Sequence, residues 1–147
     1  MTLKYELNPI GRVDKKEGAP VFLVIEPQHW DAALRIELFS HLHVIWWADG
    51  FDNPEGRSHL KDIPPVEGAE ISGVFASRSP ARPNLLCLSI VKLEGVDSES
   101  NRLIVDQISA NDETPILDIK PYLPSSDRVD NAKVPEWFRK LVKRYTE

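Results

Sequence analysis

The stretch H-L-H-V-I-W-W-A, His41 to Ala48, decides the fold class. Side chains on an extended strand alternate between two faces, which puts Leu42, Val44, Trp46 and Ala48 on one side and His41, His43, Ile45 and Trp47 on the other. The first side is apolar and reads as a core face. The second mixes rings with polar atoms. That mixture suits a surface that meets a ligand or a second subunit, and equally a half-exposed strand whose histidines are ordinary surface residues.

Six further segments have the same character: Pro9 to Val13, Val21 to Glu26, Ile71 to Ala76, Leu85 to Val96, Arg102 to Ile108 and Pro115 to Tyr122. Each is short, rich in Val, Ile, Leu or aromatic residues, and bounded by Gly, Pro, Asn, Asp or Ser. Seven short strands with little helix between them predict a mainly β protein, an antiparallel sandwich or barrel. Two helices are expected beside them. One runs from Pro27 to Leu38, with Trp30, Leu34 and Leu38 at fourfold spacing to cover one end. The other runs from Pro135 to Tyr145, where Phe138, Leu141, Val142 and Tyr145 share one face and Arg139, Lys140, Lys143 and Arg144 share the opposite one. That basic side reads either as the solvated face of a docking helix or as a local patch for nucleic acid such as tRNA. Pro54 to Gly68 is a long polar connection, and loops of that length are often functional.

The whole chain of 147 residues has the size of a single domain, 1–147, and can bury a core without disulfides or a structural metal. Apolar residues make up 41% and charged residues 28% of it, the balance of a soluble globular protein. No apolar run approaches the roughly 20 residues that span a bilayer, and the first residues lack a signal-peptide core, so a cytoplasmic protein with no membrane contact is expected. The only cysteine is Cys87, which excludes an internal disulfide; with four scattered histidines it argues against a Cys/His metal site. A net charge of −5 argues against broad, sequence-independent binding of nucleic acid.

The densest chemistry lies in A-S-R-S-P-A-R-P-N, Ala76 to Asn84. Pro80 and Pro83 stiffen the backbone. Arg78 and Arg82 are able to grip a carboxylate or phosphate with two hydrogen bonds each, or to tie the loop down on carbonyls or on Asp118. No G-x-G-x-x-G follows a strand, so no Rossmann-type dinucleotide site is indicated.

F-S-H-L (Phe39 to Leu42), G-V-F-A-S-R-S-P-A-R-P-N (Gly73 to Asn84), Leu88-Ser89 and T-P-I-L-D-I-K-P-Y-L-P (Thr114 to Pro124) occur in that order. The combination closely resembles the TsaA-like, or TrmO, family. P-I-G-R-V (Pro9 to Val13) and V-P-E-W-F (Val134 to Phe138) extend the resemblance over nearly the whole chain. The resemblance implies a small antiparallel β-barrel that forms a homodimer and holds S-adenosylmethionine near the subunit interface as methyl donor. It also implies methyl transfer to N6 of threonylcarbamoyladenosine in tRNA.

The cofactor-binding residues implied are Arg78, Ser79, Pro80, Arg82, Asn84, Leu88, Asp112, Thr114 and His41; no catalytic residue and no metal is implied. His59 falls in the polar connection and is set aside, and Asp118 with Lys120 reads as a structural ion pair. Two other functions stay open, a barrel that uses the same donor on a small non-tRNA substrate and an inactive interaction or regulatory module. Relatives commonly read P-N-P-I-G-L-S and D-x-x-D-G-T-P. Here Leu85 replaces a proline, Cys87 a glycine, Ser109 the first carboxylate and Glu113 the turn glycine.

Overall fold

Alternation along His41 to Ala48 resolves as the sequence predicts in the computed structural model, which describes residues 2–141. Leu42 and Val44 are fully buried and Ala48 nearly so, whereas His41, His43, Ile45 and Trp47 stay half-buried on the opposite face. Among the described residues eight strands form: β1 (Gly11–Asp14), β2 (Val21–Ile25), β3 (His41–Trp47), β4 (Lys61–Asp62), β5 (Ser72–Gly73), β6 (Leu86–Asp97), β7 (Arg102–Val105) and β8 (Pro115–Pro121). Six of them close into an antiparallel barrel in the order β1-β2-β7-β6-β3-β8, and β4 pairs with β5 in a separate two-stranded sheet.

Closing the sheet removes its edges, which suits a set in which five strands have only four to seven residues and β6 alone, with twelve, is long. The barrel interior is filled by Val13, Leu23, Leu42, Val44, Val91, Leu103, Val105, Ile108, Ala110 and Ile116. Register follows from this alternation, since a one-residue slip would turn each of these side chains outward. Leu23 stands opposite both Val13 and Leu103, so β2 carries the core face from β1 to β7. Between β3 and β8 the register shifts after Ile45, which faces Asp118 while Trp46 faces Ile116. The half-buried Trp46 indole donates to Ser89 Oγ at 3.0 Å, and Ser89 Oγ lies 3.1 Å from Ser109 Oγ. This satisfies a serine that is otherwise buried.

Backbone contacts divide the described chain into two units, residues 2–47 with 88–122 and residues 48–87 with 123–141. The first contains the barrel core. The second has its own buried side chains in Ala48, Val74 and Leu85, together with β4, β5 and three one-turn helices, α1 (Pro54–Arg57), α2 (Pro124–Asp127) and α3 (Glu136–Arg139). The connection from Pro54 thus carries α1 and β4.

Two elements differ from expectation. Pro27 to Leu38 is not an α-helix but two 3₁₀ turns, Pro27–Ala33 and Ile36–Leu38, parted at Arg35, whose φ is 70°. Glu26 gives the first turn no side-chain cap. With three residues per turn, burial follows Trp30, Ala33 and Ile36, and the fourfold pair Leu34 and Leu38 is left 79% and 72% exposed. Ile71 to Ala76 is likewise a strand only at Ser72 and Gly73. Val74 turns inward to 2% exposure and starts a 3₁₀ turn, Val74–Ala76, which leaves Ile71 and Phe75 in solvent. Of the expected C-terminal helix only the single turn α3 forms among the described residues: Lys140 is already a turn and Leu141, 50% exposed, is not helical, while Val142, Lys143, Arg144 and Tyr145 lie outside the described residues. Among the described residues no helix is long and apolar enough to cross a membrane.

Candidate functional site

The arginine-proline loop in the second unit is built by its own side chain. Arg82 Nε donates to the Ser79 carbonyl at 2.8 Å, and Nη2 donates to the carbonyls of Ser77, at 2.9 Å, and Val74. The guanidinium therefore ties residues 74–82 to themselves, the tie-down arrangement that was one of two readings of the sequence. Arg57 adds a second fastening, with Nε on Asp52 Oδ1 at 2.8 Å and Nη1 on the Pro83 carbonyl at 3.3 Å. Arg78 differs: it is exposed and, among the described residues, makes no hydrogen bond or ion pair. Asn84 is exposed as well, while Ser79 and Pro80 are half-buried. Burial raises the Cys87 thiol pKa, with the Arg82 charge opposing that rise, so the thiol just beyond the loop stays protonated and inert near neutral pH.

Ser79 and Pro80 form one wall of a depression of about 560 Å³, whose other walls include Phe51, Glu55, His59 and Asp62. Local sequence explains these walls. Asn53 caps α1 by accepting the Gly56 N–H at 2.7 Å, and Pro54 holds its first position. Gly56 is required by close approach, since a Cβ there would lie 2.0 Å from the Phe51 carbonyl oxygen. The β4–β5 pairing fixes Asp62 opposite Ser72, and Asp62 Oδ1 accepts the Ile63 N–H at 2.8 Å. Its Oδ2 lies 3.4 Å from His59 Nε2. A larger groove of about 660 Å³ lies in the first unit between the 3₁₀ turns and the far end of β6; Phe39 of the F-S-H-L motif lines it, and none of the cofactor-binding residues expected from the sequence does.

The first unit holds the remaining candidates. His41 opens β3, with Nδ1 2.7 Å from Ser40 Oγ. Leu88 points outward from β6 and is 43% exposed. Asp112 and Thr114 share the turn before β8. Asp112 Oδ1 accepts the Lys15 N–H at 2.8 Å and Oδ2 meets Lys16 Nζ, while Lys15 Nζ donates to the carbonyls of Ile108 and Ala110 at 2.7 and 3.2 Å. The backbone bond from Lys15, followed by Lys16, holds the Asp112 carboxyl below its ordinary range, and the same pairing raises Lys16.

Glu113 sits in this turn at φ 67°, the left-handed conformation that a glycine would accept without strain. Thr114 is 4% exposed, and its carbonyl accepts the Val13 N–H at 2.9 Å. Asp118 and Lys120 form the expected ion pair at 3.0 Å, both exposed enough for it to count for little. The structure thus gathers Arg78, Ser79, Pro80, Arg82 and Asn84 on one loop, and Asp112 with Thr114 in one turn. His41 and Leu88 lie on barrel neighbours. The His59–Asp62 pair was missed by sequence reasoning, although its three-residue spacing ahead of Pro64 and Pro65 was readable.

A closed antiparallel barrel with a self-fastened arginine-proline loop and no dinucleotide-binding turn is a construction outside the Rossmann design. The chain belongs to the family described as the tRNA-methyltransferase O N-terminal domain, whose model matches residues 11–128. An Archaeoglobus fulgidus protein named "S-adenosyl-L-methionine-binding protein" is 37% identical over 126 residues, covering 86% of each chain. A second protein of that organism, a "Probable S-adenosyl-L-methionine-binding protein", is 38% identical over 87% of this chain, which spans 32% of that relative's length. A crystal structure of TrmO from Pseudomonas aeruginosa superposes with a TM-score of 0.69 at 27% identity, over 92% of this chain and 62% of its own.

Proposed function

We propose that the chain binds S-adenosylmethionine and uses it as a methyl donor. The observation that carries this reading is family membership, together with a relative of matching length that is named for binding this molecule. The residues present fit the ligand's chemistry. Its carboxylate suits the free guanidinium of Arg78, and its flat adenine suits half-buried walls such as Pro80 beside Ser79. When bound, it supplies an electrophilic methyl group on a sulfonium. The protein's task is then to hold donor and acceptor in line, with Arg82 keeping the loop that carries Arg78 and Asn84 in shape. Isothermal titration with the donor tests this directly: absence of binding at millimolar concentration removes the reading. Arg78→Ala should weaken the dissociation constant at least tenfold, on the order of 1.4 kcal/mol, without loss of fold.

The acceptor within this reading is tRNA, as in the name of the family, reached through the basic residues Arg139, Lys140, Lys143 and Arg144. Transfer of labelled methyl to tRNA that lacks the modification tests it, and donor binding without transfer would point to a smaller substrate. A homodimer is part of the same proposal. Leu88 and Ile90 of β6, with Ile45 and Trp47 of β3, offer outward apolar and aromatic surface for it. Sedimentation at micromolar concentration would show a monomer if this is wrong.

A further inference from the structure

We infer that residues 2–8 of one copy pair, as an added β-strand, with the unpaired edge of β6 at Leu88 and Ile90 in a second copy. The inference rests on the homodimer reading and deepens it, by naming the segment that each copy lends to the other.

The segment ahead of β1, T-L-K-Y-E-L-N, has the period of a strand and no strand to join. Leu3, Tyr5 and Leu7 alternate with Lys4 and Glu6, so the three apolar side chains share one face of an extended chain. They are 71%, 84% and 59% exposed. Among the described residues nothing from 2 to 8 makes a hydrogen bond or an ion pair. The stretch matched by the family model begins only at residue 11, so this arm lies outside it.

β6 offers the complementary edge. The Leu93 N–H donates to the Ser40 carbonyl at 2.8 Å, which turns the odd-numbered residues of this part of β6 toward β3. Alternation turns the backbone groups of Leu88, Ile90 and Lys92 the other way. On that side β7 pairs with β6 only from Leu93 to Asp97. The Asp106 N–H then donates to the Lys92 carbonyl at 3.1 Å, Gln107 Nε2 donates to the Ile90 carbonyl at 3.3 Å, and the pairing stops. The Ile90 N–H and both backbone groups of Leu88 are left without a partner among the described residues. Leu88 and Ile90 are also 43% and 41% exposed, so a strand laid along this edge would set its own apolar face beside theirs.

Two observations make the occupant a second copy. In the barrel order β1 stands three strands from β6 in either direction, so the arm of the same chain joins the ring at the opposite wall. The edge also adjoins Ile45 and Trp47 of β3, the outward surface assigned above to the dimer. Exchange of arms about a two-fold axis gives two such pairings per dimer and leaves neither edge open to a third copy.

The test compares full-length chains by sedimentation velocity and by amide exchange followed with NMR. Leu3→Ser, Tyr5→Ser and Leu7→Ser together should raise the dimer dissociation constant at least tenfold. Exchange at the Leu88 and Ile90 amides should quicken by a similar factor, while the Leu93 amide, bonded within its own barrel, should not change. Lys4→Ser with Glu6→Ser, on the other side of the arm, should leave the dimer within twofold. A dimer that keeps its affinity without the three apolar side chains, or that weakens equally with the Lys4 and Glu6 changes, overturns this inference alone. So does protection at Leu88 and Ile90 that survives dilution to the monomer, which would put the arm on its own barrel. An unaltered chain that sediments only as a monomer removes the inference together with the homodimer reading.

Discussion

Two charged motifs of this protein, the Ala76–Asn84 loop and the Asn111–Thr114 turn, use their charges in different ways. In the turn both oxygens of Asp112 are engaged, one on the Lys15 N–H and one on Lys16, and Glu113 meets Lys16 and Arg12 at 3.3 and 3.4 Å. The turn is a latch for the β1–β2 hairpin. In the loop the work is divided, with Arg82 bonded to three carbonyls and Arg78 free among the described residues. Residue type alone does not separate the two arginines. What separates them is position relative to a chain that curls back, which brings the Val74, Ser77 and Ser79 carbonyls around residue 82 and leaves residue 78 on the outside.

The comparison breaks first at Arg82. Arg82→Ala removes three charged hydrogen bonds and strands half-buried carbonyls, so a loss of about 3 kcal/mol is expected in denaturant unfolding, with donor binding lost alongside. Arg82→Lys should not restore it, because one ammonium cannot reproduce the planar fork. Next comes Arg78→Ala, with stability changed by less than about 0.5 kcal/mol while donor affinity falls at least tenfold. Equal stability losses at the two positions would erase the distinction.

The latch should respond to pH in a definite direction. Asp112 has a lowered pKa in the folded chain, so its contribution is present above the ordinary carboxylate range and fades as pH falls through the lowered value. Lys16 has a raised pKa, so its contribution is complete below the ordinary lysine value and fades as pH rises through the raised one. Amide exchange at Lys15 should therefore quicken below about pH 4, and Asp112→Asn should remove that acid response. The smallest effect is expected from Glu113→Gly. Relief of the left-handed conformation should outweigh two exposed ion pairs and greater unfolded-state freedom, for a net gain of about 0.5 kcal/mol in thermal unfolding.

Strands were legible where alternation met a full core, as at Leu42 and Val44 or along Arg102–Val105, because burial on one face leaves a period of two in the sequence. The 3₁₀ segment was not legible. Its apolar residues fit a fourfold period at Leu34 and Leu38, and only the positive φ at Arg35 and packing through Trp30, Ala33 and Ile36 select a threefold one. At the site, motif order identified the loop that carries Arg78 and Arg82 but not their division of labour, which depends on carbonyl positions. His59 was passed over because a polar loop carries no periodicity, and its pairing with Asp62 depends on the β4–β5 register.

Arg82 has one further implication. A segment closed by its own side chain takes little instruction from its surroundings, so residues 74–82 behave as a cassette. Grafted as a unit into a barrel of the same family, the segment should keep its shape. Transplanted without Arg82 it should not, however faithfully Pro80 and Pro83 are preserved.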